Sequence, residues 1–120
     1  MPNTPSTICI MADFGMGPYA WLRDPEQSPP LVGSNIADSV SGFPEEYNVS
    51  SALEVDFASW VTEFERDYEN PEFDWENWNK VGISLTQRLK AEIGDRFLLE
   101  YHYPFEDPRF ANVKRTEIRI

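Results

Sequence analysis

Cysteine and histidine occur once each in the 120 residues, at Cys9 and His102. A single cysteine rules out an intramolecular disulfide, which fits a protein held together by packing in a reducing compartment. A zinc site needs clustered Cys and His, and one of each, ninety-three positions apart, cannot supply it. Nucleophilic catalysis through Cys9 and His102 would need an exposed, activated thiol, whereas Cys9 lies in an apolar run and reads as core. Long hydrophobic runs are also missing. The opening MPNTPST has no basic segment, and the apolar stretch behind it is too short for a signal core or a membrane span. The expected location is cytoplasmic, where the sequon Asn48-Val49-Ser50 has no meaning.

Basic residues are scarce: 10 Lys and Arg face 21 Asp and Glu, for a net charge of −11. Such a field repels phosphate backbones and anionic membrane surfaces, so neither nucleic acid nor membrane is the expected partner. A basic protein surface would be attracted, with association speeded by about 10- to 1000-fold at low salt. Glycines are few, and Gly15-Met16-Gly17 lacks the third glycine of a dinucleotide fingerprint. The oxygen-rich run Asp67, Glu69, Asn70, Glu72, Asp74 lacks the glycine and spacing of a calcium loop. Carboxylate pairs for acid/base work can always be drawn from 21 acids, and a solvated charged face is the default reading. No catalytic, metal or cofactor site is therefore assigned.

What the chain does have is hydrophobic content of 41% and aromatic content of 14%, enough for one core and one domain over residues 1–120. Residues Thr7 to Ala12 read as a buried strand, and residues 13–22 as a glycine-rich loop closing into a second, edge strand. Residues 25–50 form a long Pro/Ser/Gly-rich loop, with Leu31, Val32, Ile36, Val40 and Phe43 packing parts of it down. Ser51-x-x-Glu54 is a capping box opening a helix whose stripe is Leu53, Phe57, Trp60, Val61, Phe64 and Tyr68, ended by Asn70-Pro71. A second helix starts at Asp74 as N-cap and runs through Trp78, Val81, Leu85, Leu89 and Ile93 to a stop at Gly94. The short connection between them predicts an antiparallel pair. Phe97 to Tyr103 alternates as a strand, and Val113 to Ile120 as a last one. The expected fold is α+β: a small, mainly antiparallel sheet with two antiparallel helices on one face.

The densest feature is the segment from Glu54 to Glu76. It holds nine acids and one base, Arg66, which is −8 of the total −11. Its second half mixes aromatics with carboxylates, an interface-like composition. The expected partner-binding set is Glu63, Glu65, Asp67, Glu69, Glu72, Phe73, Asp74, Trp75 and Glu76. Phe73 and Trp75 serve equally well as core.

The stretches ICIMADFG, GPYAWLRD, SSALEVDFASWVTEFERDYEN and GISLTQRLKAEIGDRFLLEYHYP, the last with Gly82, Leu85, Leu89 and Gly94 at fixed spacing, resemble a group of small bacterial proteins across residues 8–104. In overall character the chain is similar to immunity proteins of contact-dependent inhibition and related polymorphic toxin systems. That resemblance implies a monomer that binds and blocks a cognate toxin domain, often a basic nuclease, without being an enzyme. Two other readings remain open at this point. One is a small enzyme or ligand-binding domain with its site at residues 13–22, around Asp13, Gly15, Gly17 and Tyr19. The other is an acidic mimic of nucleic acid.

Overall fold

The computed structural model describes residues 4–27, 33–110 and 117–120. Strands β1 (Thr7–Ile10), β2 (Pro18–Arg23) and β3 (Ser34–Asp38) come first. Helices α1 (Ser51–Asp67) and α2 (Trp75–Ile93) follow, then β4 (Leu98–His102) and β5 (Glu117–Arg119). The strands form one sheet in the order β3-β2-β1-β4-β5, antiparallel except for the parallel pair β1–β4. This is the expected α+β domain with a mainly antiparallel sheet.

Three expectations need correction. Strand β2 is not at the edge: it lies between β1 and β3, and β3 forms the edge from inside the expected 25–50 loop. That loop also contains a 3-10 turn at Glu45–Tyr47. Strand β3 carries little apolar periodicity because its pairing is supported by a side chain: the Asn35 amide donates to the Ala20 and Ala37 carbonyls at 3.0 and 2.9 Å. The third correction concerns the start of α1. Its N-cap is Ser50, whose hydroxyl accepts from the Leu53 amide, rather than Ser51. Glu54 does not close a capping box. Its carboxylate accepts the Phe43 amide at 2.6 Å and so ties down the preceding loop. Glu92, near the end of α2, takes over the box's role by accepting from both the Ser50 amide (2.7 Å) and hydroxyl (2.6 Å). Of the expected strand from Val113 to Ile120, residues 113–116 lie outside the described residues, and Glu117–Arg119 form β5.

The other boundaries agree with local chemistry. Asp74 caps α2 by accepting the Asn77 amide, and Gly94, at φ 62°, ends it. The helices are antiparallel: Ser50 meets Glu92, Asp56 meets Arg88, and Trp60 meets Trp78. The last contact is reciprocal. Each indole N–H donates to the other residue's carbonyl, at 3.0 and 2.9 Å, and the rings stack 4.4 Å apart at 8°.

Register assigns the faces. Ile8, Leu22 and Leu99 are mutual partners across three strands, as are Ile10, Ala20 and Tyr101, and these face the helices. With Tyr19, Leu53, Phe57, Phe64, Trp60, Trp78, Leu85 and Leu89 they build the core. Gly82 marks the closest approach of α2 to the rest. A β-carbon there would lie 2.5 Å from the Trp60 ring and 2.6 Å from the Tyr101 ring. Both rings are held, by the indole bonds and by Tyr101 donating to Asn79. Gly82→Ala is therefore expected to destabilise by about 1–3 kcal/mol, despite alanine's better helix propensity. Urea unfolding should show a lower midpoint with an unchanged slope.

Candidate functional site

Two places gather chemistry: a buried ion cluster on the sheet face away from the helices, and an acidic end where the helices meet two loops.

The buried cluster follows from the parallel pairing of β1 and β4. Register places Cys9 opposite Glu100 and opposite Trp21, with Thr7 opposite Arg23, so Cys9, Arg23, Glu100 and His102 share one face. All four are buried. Arg23 donates to Glu100 at 2.9 Å and to the Cys9 sulfur at 3.3 Å, and His102 Nε2 lies 3.0 Å from the other Glu100 oxygen. Cys9 and His102 do meet in three dimensions, but Cys9 is buried, as expected of a core thiol, and is not the exposed thiol that nucleophilic catalysis would need. The tertiary fold brings them with Glu100 to within 4.8 Å of one another. Arg23, however, already supplies the cation: its guanidinium compensates the Glu100 carboxylate directly, and a dication beside it would be repelled. The burial that would raise the Glu100 pKa is outweighed by the hydrogen bonds and charges of Arg23 and His102, which leave it below the ordinary carboxylate value. The cluster is a charge-compensated structural network.

The acidic end is built on the last turns of α1 and the first of α2. The predicted partner-binding residues do not all converge there. Glu63 and Glu65 are two positions apart, about 200° around the helix. Glu63 lines an open groove of about 450 Å³ between the helices, with Asp56, Trp60, Val81 and Arg88. Glu65 instead approaches Gly17 of the β1–β2 hairpin. Glu69 is exposed in the turn just past α1, where desolvation and then its charge raise the Tyr68 phenol above its ordinary value. Asp67 is held by Arg66 at 2.7 Å, a hydrogen bond that keeps its carboxyl below the usual range. Glu76 pairs with Lys80 one turn later, at 3.5 Å. Glu72 and Asp74 are exposed in the connection, where Asp74 is committed to capping α2.

The two aromatics divide. Trp75 is 7% exposed and packs edge-on against Phe64 and Trp78, so it is core. Phe73 is half-buried against Trp75.

Sequence reasoning missed two loops that join this end. The hairpin 11–19 closes through the Met11 and Asp13 amides, which bond the Tyr19 and Pro18 carbonyls. It lays Phe14 on Phe64 (4.9 Å) and Tyr68 (4.8 Å). The loop after β4 is fastened by buried Asp107, which accepts from Asn79 of α2 at 3.0 Å and is forked by Arg109 at 2.9 Å. That loop carries Glu106, whose charge reaches Tyr68. Asp13 and Glu106 thereby join Glu65, Glu69, Glu72 and Asp74. The only signal for this was Gly-Met-Gly, an apolar residue between two turn-forming glycines. The loop reading of a catalytic or ligand site loses Tyr19, which is buried and stacked on Phe57 at 4.7 Å. Burial, helped by Glu54 and Asp38, pushes its phenol well above its ordinary value, so it does not exchange protons near neutrality.

No known protein family, curated protein or solved structure matches the chain. Among the described residues, no helix is long and apolar enough to cross a membrane.

The ion cluster generates a pH prediction. A carboxyl with a depressed folded pKa stabilises the fold above its unfolded value, near 4.5, and that stabilisation is lost as pH falls through the lowered folded value. Glu100→Gln is expected to cost about 3–5 kcal/mol at pH 7, because it removes the carboxylate that compensates buried Arg23. The gap to wild type in urea midpoint should stay constant above about pH 5 and shrink below about pH 4.

Proposed function

We propose that this chain is an immunity-type inhibitor that binds a basic toxin domain, of nuclease type, and occludes its active site or substrate groove. The reading rests on one observation: carboxylates from four separate segments gather at one end of the molecule. Asp13 comes from the hairpin, Glu65 from α1, Glu69, Glu72 and Asp74 from the connection, and Glu106 from the loop after β4. The bases recorded near them, Arg66, Lys80 and Arg109, are already engaged with Asp67, Glu76 and Asp107.

Such an arrangement costs folding energy through self-repulsion and contributes nothing to the core, so its physical use is toward a cationic partner. A surface of this sign raises the rate of encounter and excludes partners of like charge. It matches the active-site surroundings of an enzyme that handles nucleic acid, which must be positive to hold phosphates. The chain would act in the cytoplasm as a monomer, without a cofactor and without catalysing a reaction itself.

If a large secreted protein is encoded beside this chain, its C-terminal domain, purified with its catalytic residues disabled, is the test partner; a neighbourhood without such a gene counts against the reading. Wild-type chain should bind that domain and restore growth of cells expressing its active form. Reversing Glu65 and Glu69 to Lys should slow association by about tenfold or more at low salt and flatten its salt dependence. Glu63→Lys, on the groove side of α1, should have a markedly smaller effect. Association rates unchanged by the double reversal would overturn this placement.

A further inference from the structure

Charge steers an encounter, but a long-lived complex needs desolvated apolar contacts at its centre. The acidic end contains a built candidate for that role at the hairpin tip. Gly15, Met16 and Gly17 all have positive φ, at 88°, 63° and 62°, so the chain passes through three consecutive left-handed residues. Glycine takes this conformation freely. Methionine does not, and a non-glycine residue held there is strained.

The strain is imposed by specific contacts. The Ser39 hydroxyl and amide both donate to the Met16 carbonyl, at 2.9 and 3.3 Å, and the Ser39 amide also reaches the Gly17 carbonyl at 2.9 Å. These bonds fix the backbone but give the side chain nothing: Met16 is 63% exposed. Beside it Phe14, 40% exposed, is held by Phe64 and Tyr68. A flexible apolar side chain is thus pinned outward at a backbone position that favours glycine, with the Glu65 carboxylate reaching the neighbouring Gly17 and Asp13 in the same hairpin.

We infer that Met16, supported by Phe14, is the apolar anchor of the partner interface, and that it enters a non-polar socket rimmed by Lys or Arg on the basic domain. Charge complementarity selects this occupant: the Glu65 and Asp13 carboxylates at the hairpin would be left desolvated and unpaired against a neutral or acidic surface. Methionine suits the task because its unbranched, polarisable side chain adapts to a socket of irregular shape. The inference rests on the inhibitor reading above and adds the residue on which dissociation depends.

The decisive variant is Met16→Gly, which removes the anchor and relieves the backbone at once. Its thermal midpoint should equal or exceed that of wild type. Affinity for the disabled toxin domain should fall roughly thirtyfold, as for a hot-spot residue. The loss should lie in the dissociation rate and be nearly independent of salt, in contrast to the Glu65 and Glu69 reversals. Met16→Leu, which keeps an apolar side chain, should retain most of the affinity. Wild-type binding with an unchanged dissociation rate in Met16→Gly would overturn the anchor while leaving the acidic-surface reading intact. A wild-type chain that does not bind the domain would overturn both.

Discussion

The contact on which the rest of the molecule depends is the stacked pair Trp60 and Trp78. Each indole N–H donates to the backbone carbonyl of the other residue, so two large rings are buried with both polar atoms satisfied. In the low-dielectric interior, an indole left without an acceptor would cost far more than its hydrogen bond contributes. The reciprocity also specifies geometry. Only one register and one separation of α1 and α2 satisfy both bonds together, and the helix bearing Trp78 must come close enough that position 82 has no room for a side chain. Ser50–Glu92 and Asp56–Arg88 secure the same antiparallel alignment toward the far end of the pair. The corner where α1 ends and α2 begins is therefore rigidly placed, and the acidic end is built on that corner.

The sheet is buried on both sides by different means. Toward the helices it presents Ile8, Ile10, Leu99 and Tyr101; on its other side it holds Cys9, Arg23, Glu100 and His102. A network of this kind contributes less to stability than well-packed hydrophobic residues of the same volume, but removing one member strands a buried charge. It disfavours slippage of β4 against β1, since a one-residue shift would carry Glu100 and His102 into the aromatic core. Apolar packing and ion pairing thus enforce the same register from opposite faces.

At the acidic end, the fold separates tasks that a linear reading merges. Glu65 lies beside the hairpin and Glu69 beside Tyr68, while Glu63 faces the groove between the helices. Asp67, Asp74 and Glu76 are partly committed to Arg66, the α2 N-terminus and Lys80. Long-range attraction follows from the summed charge and tolerates this division. Short-range recognition does not, because it depends on which side chains share a surface. Trp75 is consumed by the core, and the apolar contacts available to a partner come instead from the hairpin.

Sequence alone determined what depends on neighbours along the chain. The helical stripes, the Asp74 cap, the stop at Gly94, the turn at Asn70-Pro71 and the alternation of β4 are all decided within a few residues, where propensity and side-chain-to-backbone bonds act. It also determined the net charge and its concentration in one segment. The tertiary structure decided what depends on residues far apart. Strand β3 owes its pairing to Asn35 reaching across to β2, and Glu54 left its expected capping role for the Phe43 amide. Cys9 and His102 met because β1 and β4 pair in parallel. The hairpin tip joined the acidic end because Phe14 found Phe64 and Tyr68. Each of these contacts closes a long loop and is favourable only once the core has formed, so no local pattern could announce it.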